Sequence, residues 1–350
     1  MGRIRPFVKK ETLHIIRDKR TVLMVVLMPI TLLIIFGFAI STEVRNVNAG
    51  AVIAKHSAAA RAAISRLEGN PYITFTGALP YSEAENSLLS SENDAVVIFP
   101  EDFAQTLDYQ ILTDASNPTL GPVAAQYIEN AIGGEPDNMP LTHLLFNPRM
   151  KSAYNFVPGI MGLIFLLICI LMTSISIVRE KETGTMQVLL ISPARASDIV
   201  FAKMIPYFYL SLIDLALVIL ISTTLLEVPL SGNLLWVALI SAVYIILALA
   251  IGLFISTISS KQVIALIISA VLTMMPVMLL SGMLFPVENM PGALRLVSKV
   301  IPATWYIEAM RKLMIQGAPI GAVWKEAAIL CGMAVFVIIV ALRGVKERTS

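Results

Sequence analysis

Three sets of residues in this sequence have types and spacing suited to chemistry. The first is Arg179-Glu180-Lys181-Glu182, which follows an uncharged run from Val157 to Val178. Behind it come Gly184, Thr185 and the triplet Met186, Leu189 and Leu190 at i, i+3 and i+4, closed by Ser192-Pro193. Gly184 weakens the preceding helix, Thr185 can cap a short new one, the triplet gives that helix an apolar face, and Pro193 stops it. Such a helix docks rather than breaks bonds: it lies in a lipid interface, or it enters a groove of a partner. The second set is Asp214, the one charge in the apolar run Met204–Leu226. It is either a cation- or proton-linked group on a path, or a carboxyl joining helices through Ser211, Ser222 or another neighbour. The third is the break at Pro276, Gly282 and Pro286 in another apolar run, with Met278, Ser281 and Phe285 beside it. A broken helix is tolerated where its freed backbone meets protein or a water-filled cavity, so this is a re-entrant outer gate or an ordinary kink. The remaining candidates are bland. Cys169 and Cys331 lie in apolar runs as small buried side chains, and Asp114, Asn117 and Pro118 read as a turn.

The elements that must position these residues are membrane helices. Hydrophobic residues make up 57% of the 350-residue chain and charged ones 14%, with a mean hydropathy of +0.78, against about 25% charged in a soluble domain. That excludes a disordered chain, a nucleic-acid binder and a disulfide-stapled secreted domain. Six runs are long enough to span a bilayer: Val22–Ile40, Val157–Val178, Met204–Leu226, Leu234–Ile258, Val263–Leu284 and Ile320–Leu342. The first is too long, and its polar leader too extended, for a signal peptide. Seven Lys/Arg among residues 1–20 place that end in the cytoplasm. The expected layout is an amphipathic cytoplasmic helix (1–21), span one (22–42), an outer domain (43–151), and spans two to six (152–342) with an inner loop at 179–203. A cytoplasmic tail (343–350) completes it. Arg295, Lys299, Arg311 and Lys312 fall in an outer loop, against the charge rule.

Residues 43–151 have ordinary globular composition. Strand-like runs at Ala49–Ala54, Ile73–Leu79, Ala95–Phe99 and Tyr109–Thr113 alternate with helix-like runs at Ala58–Leu67, Ala84–Leu89 and Pro122–Ile132. The expected fold is thus an α-helical membrane protein, six spans with both ends inside, carrying an inserted small extracytoplasmic α/β domain. The inserted segment has 6 Lys/Arg against 13 Asp/Glu, which keeps it solvated among anionic headgroups and gives it some attraction for a basic partner.

The pattern Arg-Glu-Lys-Glu-x-Gly-Thr-x-x-x-Leu-Leu-x-Ser-Pro, with Lys203 before the next span, resembles the cytoplasmic loop of type-2 ABC transporter permeases. Lys10-Glu11 with Arg17-Asp18-Lys19-Arg20 is similar to that family's N-terminal interfacial helix. Ser281-Gly282-Met283-Leu284-Phe285-Pro286 and Pro302-Ala303-Thr304-Trp305-Tyr306 resemble its outer segments. The resemblance implies a permease of an ATP-driven exporter for a small molecule, drug or lipid-like cargo, in a bacterial inner membrane. It implies that Glu180, Glu182, Gly184, Thr185, Leu189, Leu190 and Pro193 couple the chain to an ATPase. Asp214, Met278, Ser281, Gly282, Phe285 and Pro286 are candidates for the path or gate. No GxxxxGK[ST] loop occurs, so no cofactor and no metal is expected on this chain, and ATP with Mg belongs to a separate cytoplasmic ABC ATPase subunit. A second copy or a paralogue of the permease, the lipid bilayer and a periplasmic adaptor are the other expected partners; nucleic acid is not one. Two further classes stay open, a sensor or scaffold with an outer ligand-binding domain and a secondary transporter. The first lacks room for a cytoplasmic output domain, and the second should show internal repeats and several intramembrane charges.

Overall fold

The computed structural model describes residues 4–36, 46–113, 120–133, 152–184 and 196–347. They fall into two compact units, one made of Met1–Ile40 with Ser152–Ser350 and one of Ser41–Lys151. The first unit begins with α1 (Ile4–Arg17) and α2 (Lys19–Ile34), separated by Asp18 alone. Along α1 the residues at the buried face are Glu11 and Ile15, flanked by half-buried Phe7, Val8 and Thr12. A carboxylate therefore occupies a position in the apolar stripe.

The smaller unit is a four-stranded sheet with helices on both faces. In chain order it runs β1 (Val47–Ile53), α3 (Ala58–Glu68), β2 (Ile73–Ala78), α4 (Tyr81–Leu89), β3 (Ala95–Phe99), α5 (Phe103–Thr106), β4 (Gln110–Thr113) and α6 (Leu120–Ile132). Spatial order is β2-β1-β3-β4; β1 is parallel to both β2 and β3, and β4 is antiparallel to β3. The two parallel crossovers run in opposite directions across the sheet, from β1 out to β2 and from β2 back over β1 to β3. Right-handed connections then put α3 and α4 on opposite faces. Period-2 alternation follows this. Val47, Ala49, Ala51, Ala95, Val97 and Phe99 pack with α3 and α6, whereas Val52 and Val96 pack with Ala84 of α4. The strand and helix runs read from the sequence coincide with these elements to within a few residues; only the one-turn α5 was not expected. The turn expected at Asp114–Pro118 lies outside the described residues.

The helical unit resumes with α7 (Ser152–Glu182), α8 (Ala196–Thr224), α9 (Leu234–Ile258), α10 (Gln262–Leu280), α11 (Gly292–Val300), α12 (Pro302–Met310) and α13 (Trp324–Glu347). Among the described residues five helical stretches are long and apolar enough to cross a membrane: Ala153–Glu182, Phe201–Thr224, Leu234–Ile258, Gln262–Leu280 and Trp324–Gly344. The first expected span is represented among the described residues by the shorter apolar stretch Val25–Ile34. The apolar runs set the helix bodies and polar groups set their ends. The Asn233 side chain accepts from Leu235 N–H at 2.8 Å to open α9, and Ser259 to Lys261 separate it from α10.

At the centre of this unit α7 is packed on three sides. Tyr244 of α9 donates to the Gly162 carbonyl of α7 at 2.8 Å and stacks on Tyr306 of α12, with ring centroids 4.1 Å apart. Phe165 meets the same Tyr306 ring edge-on, and Ser241 shares a 2.8 Å hydrogen bond with its hydroxyl. So α12, which the sequence pattern puts within an outer loop without a helix, packs against α7 and α9 and buries Ala303, Tyr306, Ile307 and Met310. Two other expectations are corrected. Pro276 does not interrupt its helix, since α10 continues to Leu280; its ring costs the one bond to the i−4 carbonyl, and the helix runs on for a further turn. Cys331 is exposed rather than buried.

Candidate functional site

The charged end of α7 is tied to four other helices. Glu180 lies 2.9 Å from Lys203 of α8, and the same ammonium lies 3.4 Å from Glu11 of α1. The Lys203 side chain is only 5% exposed and also donates to Ser176 at 3.4 Å. One residue on, Lys181 donates to the Ser256 carbonyl near the end of α9. One further on, Glu182 accepts from the side-chain amide of Gln262 at 2.7 Å and from its backbone N–H at 3.3 Å, so it caps α10. Three consecutive side chains point three ways, as 100° per residue requires. Gly184 then ends the helix with φ +73, a left-handed conformation that glycine adopts without a Cβ penalty, and its N–H bonds Lys181 O at 3.2 Å. The segment leaving this hub is the one that carries Thr185, Leu189, Leu190 and Pro193, which lie outside the described residues.

Burial gives the hub its energetic weight. A partly desolvated lysine between two carboxylates stabilises only while both sides remain; removing one partner of such a cluster costs roughly 3–5 kcal/mol. Moving the end of α7 therefore means moving α1, α8, α9 and α10 with it.

A second charged cluster lies at the other end of the helices. Here Lys312 is 2.9 Å from Glu308 and 2.8 Å from Glu326 near the start of α13, whose carboxylate is 2% exposed. Arg311 donates to the Gly282 carbonyl at 2.7 Å. Burial lowers the pKa of the Arg311 guanidinium, against the opposing pull of Glu288 and Glu308. Gly282, at φ +82, makes the turn that presents this carbonyl. Arg295 donates to the carbonyls of Glu288 and Met290. Three of the four cations that conflicted with the charge rule are thus held on carbonyls or carboxylates. The fourth, Lys299, offers its carbonyl to Trp305 at 2.9 Å.

The gate candidates are divided between environments. Ser281 and Gly282 are buried, Met278 is half-buried, and Phe285 and Pro286 are exposed. Ser281 donates back to the Val277 carbonyl, which shapes the helix end. Asp214 is 2% exposed near the middle of its apolar stretch. Among the described residues neither of its carboxyl oxygens has a hydrogen-bond partner. The two serines offered as partners are engaged elsewhere: Ser211 with Cys169 at 3.2 Å and Ser222 with the Ile219 carbonyl at 2.9 Å.

Sequence reasoning missed the roles of Lys203, Glu11, Lys181, Gln262 and the Tyr244–Tyr306 stack. Two signals existed: Glu11 interrupts the apolar stripe of α1, and Lys203 stands at the mouth of an otherwise apolar run.

Comparison with known proteins agrees with this architecture. Residues 19–343 match the family described as ABC-2 family transporter protein. The probable multidrug ABC transporter permease YbhS of Escherichia coli K12 is 30% identical over 335 residues, 90% of this chain and 89% of its own length. The probable multidrug ABC transporter permease YbhR of the same strain is 26% identical, with 93% of each chain covered. The inner membrane transport permease YhhJ of that strain is 27% identical over 63% of this chain and 62% of its own. The match over residues 19–343 and the similarity to these permeases show that the chain belongs to the ABC-2 transporter family, as a multi-pass membrane permease of an ABC exporter.

Proposed function

We propose that the hub at Glu180–Glu182 is the coupling point of this permease. A separate ATPase subunit binds ATP and Mg in the cytoplasm and docks on the helix carrying Met186, Leu189 and Leu190. Its closure displaces the end of α7, and Lys203 passes the displacement to α1 and α8 while Gln262 and Ser256 pass it to α10 and α9. The observation that carries the reading is that three consecutive side chains of α7 bind α8, α9 and α10, while Lys203 of α8 in turn holds Glu11 of α1. Glu180 and Glu182 are then positioning residues, and Leu189, Leu190, Thr185 and Pro193 form the docking surface.

The finer topology belongs to the same proposal. Six spans, with both chain ends in the cytoplasm of a bacterium and the α/β unit outside, put the hub on the ATPase side of the inner membrane. The exposed apolar faces of α10 and α2, including Val263, Ile267, Val271, Met275, Leu23 and Leu27, suit lipid and a second copy or paralogue of the chain. A periplasmic adaptor would meet the outer unit. The cargo is a drug-like molecule, by extension from relatives named as multidrug permeases. Asp214, buried and without a hydrogen-bond partner among the described residues, serves the path.

The permease co-purified with its ATPase and placed in vesicles should accumulate a drug-like dye only with ATP. Leu189→Glu/Leu190→Glu should abolish accumulation and co-purification while leaving the permease in the membrane. Transport that continued without the ATPase subunit would end the proposal. For the path, Asp214→Asn should impair export at normal expression, and unimpaired export would remove Asp214 from it.

A further inference from the structure

The smaller unit has a feature that coupling does not use. Helix α4 crosses one face of the sheet above β1 and β3, where Ala84 packs with Val52 and Val96. It leaves the face of edge strand β2 beside it uncovered. The result is a groove of about 560 Å³ between β2 and α4, lined among others by Thr76, Gly77, Glu83, Asn86, Glu92 and Asn93. That volume is within the range of small-molecule sites, about 300–1,000 Å³.

The lining has a definite chemistry. It includes two carboxylates, Glu83 and Glu92, and no Lys, Arg or His. Its most buried polar side chain is Asn93, 6% exposed. The Asn93 Oδ1 accepts the Thr76 hydroxyl at 2.5 Å, while among the described residues nothing accepts from its amide nitrogen. An amide N–H without a protein acceptor, on a largely buried side chain lining a groove with net negative charge, suits a ligand that offers an acceptor and a cation together. The edge itself argues against a peptide strand as the occupant. Gly77 has φ +124 and the β1–β2 register shifts between Ala49 and Gly50, and a distorted edge is a poor template for strand addition.

We propose that this groove binds a small molecule bearing a protonated amine next to a hydroxyl or carbonyl, the chemistry of amino sugars and amino alcohols. Glu83 and Glu92 hold the ammonium, and the Asn93 amide donates to the neighbouring oxygen. The site is independent of the coupling hub, so it stands or falls apart from that reading.

The test uses the full-length permease in nanodiscs of neutral lipid, with D-glucosamine as probe and D-glucose as its uncharged near-isostere. In mildly acidic buffer, ligand-observed NMR and titration calorimetry should show glucosamine bound at least about tenfold more tightly than glucose. Glu83→Gln/Glu92→Gln should weaken glucosamine about tenfold or more, and Ser90→Lys, which brings a cation into the groove, should abolish binding. Glu68→Gln/Glu101→Gln removes the same charge outside the groove and should leave affinity within about twofold. Circular dichroism confirms that each variant is folded. No binding of glucosamine, equal binding of glucose, or equal losses in the two glutamine pairs would overturn the proposal.

Discussion

Two lysines in the helical unit each stand between two carboxylates, at opposite ends of the helices. The end of α13 that carries Gly344 packs on Thr257, beside the Ser256 that Lys181 grips, whereas its beginning carries the Glu326 that faces Lys312. The clusters look alike in composition and differ in reach. Lys203 is 5% exposed and joins Glu180 of the preceding helix and Glu11 of the sequence-distant α1 to its own helix. Lys312 is 28% exposed and joins Glu308, four residues away, to Glu326. The first ties the N-terminal helix to the end of α7. The second holds a local turn in which Arg311 also bonds Gly282. A shared charge pattern therefore has two structural uses: it ties the N-terminal helix to the ends of α7 and α8 in one place and fixes the turn after α12 to the start of α13 in the other.

The comparison can be broken by substitution. The largest effect belongs to Lys203→Met, which strands Glu11 and Glu180 in a poorly solvated site. We expect a loss of roughly 3–5 kcal/mol in the stability of that end of the unit, read as a lowered unfolding transition in detergent and faster hydrogen exchange in α1 and the end of α7. Glu11→Gln/Glu180→Gln/Lys203→Met removes all three charges and should recover much of that loss, because no buried charge is left unpaired. At the other cluster, Lys312→Met leaves Glu326 without its ammonium and should cost about 1–3 kcal/mol, with exchange rising only between α12 and the start of α13. The smallest effect is that of Glu308→Gln, a half-exposed i,i+4 pair worth about 0.3–0.5 kcal/mol. Should Lys312→Met prove more costly than Lys203→Met, the difference in reach would not translate into energy.

The α/β unit was the most legible part of the chain. Its central strands β1 and β3 are short apolar runs buried on both faces, β2 alternates buried and exposed residues, and its helices carry their own apolar stripes, so local pattern and tertiary burial agree. Apolar runs located the long helices equally well, since length and hydropathy are local quantities. The hub was less visible, because Glu11, Glu180 and Lys203 come together only when α1 packs on α8. The motif read from the sequence located Glu180 and Glu182 but did not separate residues that hold helices together from residues that dock. Segment 302–315 reads as outer-loop sequence, and its packing as a helix was not foreseen, for a related reason. Glu308, Arg311 and Lys312 give it the charge of a loop, yet Ala303, Tyr306 and Ile307 give α12 an apolar face that fits between α7 and α9. Asp214 was legible as an oddity, but its candidate partners were chosen by sequence nearness, and those serines serve Cys169 and Ile219.

The central claim is that the Glu11–Lys203–Glu180 cluster transmits ATPase closure to the helices. Its most direct test is the number of cargo molecules moved per ATP hydrolysed by the reconstituted complex, compared between the natural permease, Lys203→Met and Lys312→Met. Transmission through Lys203 predicts that Lys203→Met retains ATPase binding and hydrolysis while cargo moved per ATP falls about tenfold or more, and that Lys312→Met keeps a ratio near that of the natural chain. An unchanged ratio in Lys203→Met, at equal amounts of assembled complex, would contradict the claim.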